Sequence, residues 1–142
     1  MVVSEHILVA VDGSTMQSKV IDKAIEEAKL KKSVLTIVRI LETPQYLMNS
    51  PRLMRLMERT KKFLEDELAD IKKELTPLFP AEKLTTLVAY GDPKQTLVEL
   101  AKNSPTIDLI VMGATGESEE TLAGSTTTYV INLASCDVLV VR

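Results

Sequence analysis

The sequence predicts an α/β protein in which five parallel strands form a single doubly wound sheet, in the order 3-2-1-4-5, with helices on both faces. Two observations predict this fold, and a third feature follows from it. Short apolar runs alternate with longer segments of helical periodicity along the whole chain. Several runs, such as the one from His6 to Val11, are almost continuously apolar, as in strands buried on both faces. Glycine turns follow the first and fourth runs, at Gly13 and Gly113, and in this strand order they face one crevice.

The first third of the chain predicts a strand, a helix and a second strand. The first strand runs from His6 to Val11 and ends in the turn Asp12-Gly13-Ser14, where Ser14 or Thr15 can cap the next helix. The apolar face of that helix has residues at helical spacing, namely Val20, Ile21, Ala24, Ile25 and Ala28. The second strand, Val34 to Leu41, is rich in β-branched residues. Two strands joined by a helix favour parallel pairing.

The middle of the chain predicts a loop and one long helix. The segment Glu42 to Pro51 contains turn-forming residues, and a helix is expected from Arg52 to about Leu75. Pro77 and Pro80 end this helix. Its apolar stripe consists of Leu53, Leu56, Met57, Phe63, Leu64, Leu68, Ile71 and Leu75. Methionines in this region suit either a core stripe or an adaptable surface.

The last part of the chain predicts three strands and two helices. The third strand is Leu84 to Ala89, and the turn Gly91-Asp92-Pro93 places a proline near the start of the following helix. The fourth strand is Asp108 to Met112, and a helix from about Thr126 to Ala134 precedes the final strand, Val138 to Val141. That final strand is expected at a sheet edge, where an apolar strand can pair with another chain.

The overall composition restricts the kind of protein. A chain of 142 residues is expected to form a single domain, residues 1–142. A net charge of −3 and few aromatic residues argue against nucleic-acid binding. No signal-peptide pattern or membrane-spanning apolar run is found, so we expect a cytoplasmic protein without membrane association. A single cysteine, Cys136, excludes an internal disulfide, and a single histidine, His6, makes a metal cluster improbable.

A glycine-rich loop between the fourth strand and the last helix is the main candidate for binding. Gly113 and Gly116 are followed, after seven residues, by Gly124 and Ser125. Glycines allow the backbone to approach a ligand, and a helix start supplies free N–H groups, so the segment suits a phosphate group. It lacks the lysine of a Walker A loop. The alternative is a strand-to-helix loop that uses glycine only for tight turns.

Taken together, several segments resemble the universal stress protein family over the whole chain. They are Ile7–Ser14, Gly91-Asp92-Pro93, Asp108–Gly113 and Ala134–Arg142. The ATP-binding branch of that family carries Gly-x2-Gly-x9-Gly-Ser/Thr, and here seven residues replace the nine. The resemblance implies a Rossmann-like domain and a cytoplasmic stress-response protein that binds an adenine nucleotide, ATP with Mg²⁺ or else ADP or AMP. It also implies a homodimer that forms through the last strand, Val138 to Val141, and acts as a binding module or switch for a protein partner not yet known.

The resemblance assigns roles to particular residues. It places Asp12 near the ribose and phosphates, where it could help to hold Mg²⁺. The residues expected at the adenine are Ala10, Val11, Ile40 and Met112. The residues expected at the ribose and phosphates are Gly113, Thr115, Gly116, Gly124, Ser125, Thr126 and Thr127.

The charge pattern keeps an alternative open. From Asn103 to Val141 there is no Lys or Arg, whereas three acids, Glu117, Glu119 and Glu120, lie inside the glycine loop. These acids could face solvent, or they could block ATP and leave a protein that works through dimerisation and protein contacts. A flavodoxin-like carrier or a receiver domain is a third interpretation, but Leu84 to Tyr90 lacks the Asp that a receiver requires. No nucleophile with a general base is evident, so we do not expect an enzyme beyond slow ATP hydrolysis or autophosphorylation.

Overall fold

Strands and helices alternate along the chain in the residues that the computed structural model describes, which are 5–43, 49–114 and 125–142. The strands are β1 (His6–Val11), β2 (Val34–Leu41), β3 (Leu84–Tyr90), β4 (Ile107–Gly113) and β5 (Asp137–Val141). The helices are α1 (Gln17–Lys31), α2 (Pro51–Leu75), α3 (Pro93–Asn103) and α4 (Ser125–Leu133), and a 3₁₀ turn at Ala81–Lys83 precedes β3.

The strands form one parallel sheet in the order β3-β2-β1-β4-β5, which confirms the predicted order. The chain moves outward from β1 to β3 and then crosses back to β4 on the other side of β1. In the register of the central strands, Val11 lies opposite Arg39, and Val9 lies opposite Val111. The reversal between β1 and β4 creates a crevice at the carboxyl ends of these strands.

Two hydrophobic cores cover the two faces of the sheet. On one face, α1 and α2 pack on alternate strand residues such as Ile7, Val9 and Ile37. On the other face, α3 and α4 pack on the intervening residues, such as Leu8 and Val38. Because both faces are covered, the central strands are apolar at nearly every position. Within the described ranges, no helix is both long and apolar enough to cross a membrane.

The turn after β1 differs from the prediction that Ser14 or Thr15 caps α1. Asp12 Oδ1 accepts a hydrogen bond of 2.9 Å from the backbone N–H of Ser14, which closes a tight turn. Ser14 Oγ then accepts from the N–H of Met16, at 3.3 Å. Met16 occupies the N-cap position without a side-chain cap bond, so α1 begins later than predicted, at Gln17.

The two helices that begin with proline have side-chain caps. Ser50 caps α2 by accepting a hydrogen bond from the N–H of Leu53, and α2 begins at Pro51, one residue before the predicted start at Arg52. Asp92 caps α3 by accepting from the N–H of Lys94, and Pro93 occupies the first turn as predicted. Gly91 precedes this cap with φ of 138°, a conformation that favours glycine. These caps fix where α2 and α3 leave the carboxyl end of the sheet.

Candidate functional site

A cleft of about 410 Å³ opens at the carboxyl ends of β1, β2 and β4. The turn before α1 and the first turns of α3 and α4 form its other walls. The described residues that line it are Ala10, Val11, Asp12, Ser14, Met16, Gln17, Val20, Val38, Arg39, Ile40, Pro93, Leu97, Met112, Gly113, Ser125, Thr126 and Thr127. The cleft therefore lies at the switch point of the strand order, where ligands bind in open α/β sheets.

Most of the site residues expected from the sequence line this single cleft. They are Ala10, Val11, Asp12, Ile40, Met112, Gly113, Ser125, Thr126 and Thr127. Three other expected residues, Thr115, Gly116 and Gly124, lie outside the described residues, as do the acids Glu117, Glu119 and Glu120.

The floor of the cleft is apolar on the sheet face that α3 and α4 cover. Val38 and Met112 are buried there, with 0% and 4% of their surface exposed. Ala10 and Ile40 are half-buried and pack against the same core, and Leu97 of α3 closes the wall. A flat apolar ring can contact this floor without leaving a buried polar group unpaired.

The polar rim of the cleft consists of the residue that follows β1 and the first residues of α4. Asp12 comes after β1 and is exposed, with Oδ1 already accepting from Ser14 N–H. Ser125 and Thr126 begin α4, where Ser125 is exposed and Thr126 is half-buried. The first N–H groups of a helix lack partners within the helix, so this rim combines a carboxylate with a helix start that favours anions.

Arg39 is a functional candidate that the sequence reasoning missed. It lies opposite Val11 in the β1–β2 register and is one of the residues that line the cleft. Its terminal nitrogens approach Gly13 so closely that a Cβ added there would lie 2.8 Å from both of them. Glu67 of α2 forms an ion pair with Arg39, with Oε2 at 3.8 Å from Arg39 Nη1. Arg39 could have been identified from the parallel pairing of β1 and β2, which places the end of β2 beside the end of β1.

Thr127 has a structural contact that the sequence reasoning did not foresee. Its Oγ1 donates to the backbone oxygens of Gly113 and Ala114, at 3.0 and 3.1 Å. The residue is 3% exposed, so this bond holds the first turn of α4 against the end of β4. Since the hydroxyl proton is already shared by these oxygens, Thr127 fits a residue that positions the cleft better than one that donates to a ligand.

The other reactive side chains lie at the opposite end of the sheet. His6 Nε2 is 2.7 Å from Thr36 Oγ1, and burial lowers the pKa of His6 while the charge of Asp108 opposes this shift. The pKa of the Cys136 thiol is raised by burial and then by the charges of Asp108 and Asp137. A thiol with a raised pKa is a poor nucleophile at neutral pH. In the part of the chain that the structure describes, no group of three or more His, Cys, Asp and Glu residues could hold a metal ion by itself.

Comparison with known proteins gives a consistent family. The model of the universal stress protein family matches residues 4–142. A curated protein of Staphylococcus aureus strain USA300 is named as a universal stress protein. It is 31% identical to this chain over an alignment that covers all of this chain and 86% of that protein.

Solved structures agree with this match. The universal stress protein UspA from Lactobacillus plantarum is 32% identical and superimposes with a TM-score of 0.84, over 97% of each chain. A universal stress protein solved in complex with cAMP is 25% identical, with a TM-score of 0.68 over 97% of each chain. The family model, the curated relative and these structures all indicate the same family.

Proposed function

The chain belongs to the universal stress protein family, and on this premise we propose that its cleft binds an adenine nucleotide, ATP with Mg²⁺ first and ADP or AMP as related ligands. The protein would act in the cytoplasm as a stress-response binding module or switch. Nucleotide binding would change the surface around α4 and the glycine loop, and thereby the choice of a protein partner.

The observation that carries the proposal is the pairing of an apolar floor with a helix start in one cleft. Ala10, Ile40 and Met112 form the floor that suits the adenine ring, and Val11 lines the same cleft, although its side chain belongs to the core on the other face of the sheet. Gly113, Ser125 and Thr126 would contact the ribose and phosphates through backbone N–H groups and hydroxyls. Thr115, Gly116 and Gly124 would complete the phosphate contacts. We assign Thr127 to the support of this arrangement because its hydroxyl already contacts the end of β4.

Arg39 changes the electrostatic argument. The sequence from 103 to 141 offers no cation, whereas Arg39 of β2 lines the same cleft, with its guanidinium beside Gly13 and Glu67. Its ion pair with Glu67 is long and partly exposed, so the guanidinium can turn toward a phosphate at little cost. An arginine also forms the stronger, two-pronged contact that phosphate oxygens accept. We therefore propose Arg39 as a phosphate contact.

The residues present fit Mg²⁺ only in one arrangement. Asp12 is exposed at the rim, and no acidic cluster accompanies it among the described residues. Mg²⁺ is commonly held by one or two carboxylates together with substrate phosphates and water. Asp12 would supply that carboxylate, and the ion would offset part of the phosphate charge when bound.

The similar universal stress protein that was solved with cAMP supports a ligand of the adenine class. That ligand carries a single phosphate, so it supports the adenine and ribose contacts more directly than the triphosphate contacts. We propose a binding protein and no dedicated enzyme, since none of the described residues at the cleft is a nucleophile paired with a general base. Slow ATP hydrolysis or autophosphorylation is the most that the residues suggest.

One sequence feature favours a second candidate function. Glu117, Glu119 and Glu120 place three negative charges between the glycines of the loop. If they face the cleft, they repel a triphosphate, and the chain would then work through dimerisation and protein contacts alone. Changing all three to Gln separates the two functions, because ATP affinity rises only if these charges act on the phosphates.

The deciding experiment is a calorimetric titration of nucleotide-stripped protein with ATP, with and without Mg²⁺, and with GTP as a control. We expect saturable binding that favours ATP over GTP. Ile40→Trp should fill the floor and weaken binding at least about tenfold, since overpacking a preformed site excludes the ligand. Ile131→Trp is the matched control, because Ile131 is 51% exposed and lies on α4 outside the cleft.

Titrations with ATP and with AMP test the role of Arg39. Arg39→Gln should weaken ATP more than AMP, because the lost charge acts on the additional phosphates. An equal loss for both nucleotides would remove Arg39 from the phosphate site. The absence of saturable heat at millimolar ATP would favour the second candidate function.

A further inference from the structure

One side of α2 carries an exposed stripe of residues in addition to the stripe that packs on the sheet. Leu64, Leu68 and Leu75 are buried against the first core. A second set repeats at spacings of three or four residues and therefore follows one side of the helix. Its members, which we call the α2 stripe, are Arg52, Leu56, Arg59, Phe63, Glu67, Asp70 and Glu74, and all are exposed.

The apolar members of the α2 stripe are unusually open to solvent. Phe63 is 61% exposed and Leu56 is 57% exposed. Phe63 also borders a shallow cleft of about 370 Å³ between α2 and the end of β2, with Glu67 and Asp70 on its rim. An exposed aromatic side chain beside a concave surface is the usual centre of a protein contact.

The charges of the α2 stripe are arranged symmetrically around Phe63. Arg59 and Glu67 are each four residues from Phe63, on opposite sides, and Arg52 and Glu74 are each eleven residues away. The half before Phe63 is basic and the half after it is acidic. A two-fold axis through Phe63 would therefore bring unlike charges together at both distances.

Four charged residues of the α2 stripe are available for such pairing. Within the ranges that the structure describes, Arg52, Arg59, Asp70 and Glu74 form no ion pair within 4.0 Å. Glu67 has only the long contact with Arg39. Because each half of the α2 stripe carries charges of one sign, these charges gain little from each other within one helix. An antiparallel copy would supply a partner of opposite charge for each half.

We propose that the α2 stripe binds a second copy of this chain, with the two α2 helices antiparallel across a two-fold axis at Phe63. The two Phe63 rings would meet at the axis beside the shallow clefts. Arg59 would face Glu67 of the partner subunit, and Arg52 would face Glu74 of the partner subunit. Leu56 would lie opposite Asp70 of the partner subunit, which is the one unmatched position, although Arg59 lies one turn away and can reach that carboxylate.

This contact does not involve the last strand, and its only link to the nucleotide cleft is the ion pair between Glu67 and Arg39. Helix α2 packs on the β2–β3 side of the sheet, whereas β5 forms the opposite edge. A copy bound to the α2 stripe would therefore leave β5 accessible. Self-association and ATP binding are measured separately, so the α2 contact can be disproved while the nucleotide site is retained.

The test uses two charge reversals and their mixture, followed by sedimentation velocity over a range of concentrations. Arg59→Glu places like charges against Glu67 of the partner subunit, and Glu67→Arg places like charges against Arg59 of the partner subunit. Each variant alone should associate at least about tenfold more weakly than the unaltered protein. An equal mixture restores both unlike pairs, so its association should return to within about threefold of the unaltered protein.

Matched controls come from the same helix. Arg55→Glu and Glu65→Arg make the same changes of charge at exposed positions off the α2 stripe and should leave association unchanged. Phe63→Ala leaves all charges in place and should still weaken association about tenfold, as expected for a central aromatic contact. Circular dichroism verifies that each variant is folded.

Three results would overturn the proposal. They are an unaltered protein that does not associate beyond any β5 dimer, a mixture that stays as weakly associated as its components, and controls that weaken association as much as the stripe variants. If copies also join through β5, the stripe variants should reduce the larger assembly to the β5 dimer, so the α2 contact remains measurable.

Discussion

His6 shows how the position of a single residue sets the behaviour of a titratable group. It starts β1 at the end of the sheet away from the cleft, and its Nε2 lies 2.7 Å from Thr36 Oγ1. Burial lowers its pKa below the ordinary value of 6.5, and the charge of Asp108 only partly opposes this. The fold therefore favours the neutral imidazole.

The lowered pKa predicts a loss of stability on acidification. At a pH between the folded-state pKa of His6 and 6.5, the unfolded chain binds more protons than the folded chain. The contribution of His6 to the free energy of unfolding is therefore complete above pH 6.5 and is lost as the pH falls through the folded-state pKa. Urea unfolding from about pH 8 to about pH 5 should show a smaller pH dependence for His6→Gln than for the unaltered protein. Parallel curves for the two proteins would contradict this assignment.

At the scale of the element, α4 depends on a bond that no local sequence pattern reveals. The glycines and Ser125 suggested a ligand loop, and the helix start was predicted to within one residue. That Thr127 would contact the backbone of Gly113 and Ala114 could not be predicted, because this contact depends on how α4 approaches β4 in three dimensions. Likewise, Asp12 was correctly expected to form a turn, but the length of that turn, which delays α1 to Gln17, depends on side-chain bonds to the backbone.

The contact of Thr127 predicts an effect on stability that needs no ligand. Thr127→Val keeps the shape of the side chain and removes the hydroxyl, so the free energy of unfolding should fall by about 1–2 kcal/mol. Thr127→Ser keeps the hydroxyl and should retain most of that bond. Urea unfolding in the absence of nucleotide measures both variants. A Val variant as stable as the unaltered protein would return Thr127 to the group of proposed ligand contacts.

At the scale of the whole molecule, the strand order was predictable because few topologies fit the pattern. Continuous apolar runs such as Ile7–Val11 require helices on both faces, and right-handed crossovers between parallel strands leave a small number of arrangements. The same reasoning brought Asp12 and Gly113 to one crevice. Arg39 was missed because its importance appears only when β2 is aligned with β1 and its side chain turns toward Gly13.

The strand order also leaves β5 at an edge of the sheet, and we propose that a homodimer forms there. Val140 is half-buried and belongs to neither core cluster among the described residues, so Val140→Lys should leave the fold intact. It should weaken pairing through β5 at least about tenfold, since an edge lysine opposes strand pairing. Thr85→Lys, at an exposed position of β3 on the other edge, is the control, and sedimentation gives the masses. Equal masses for both variants and the unaltered protein would exclude this interface.

The bond from Thr127 to the end of β4 also bears on how this family can diversify. Ala114 and Ser125 are fixed relative to each other by the scaffold, so the chain between them closes a gap whose ends are already set. Lengthening such a segment by two residues changes its closure entropy by only a few tenths of a kcal/mol at most. Evolution could therefore shorten or extend the glycine loop, and exchange its charges, almost without cost to the fold. Substitutions in the loop could then change ligand preference without changing folding stability.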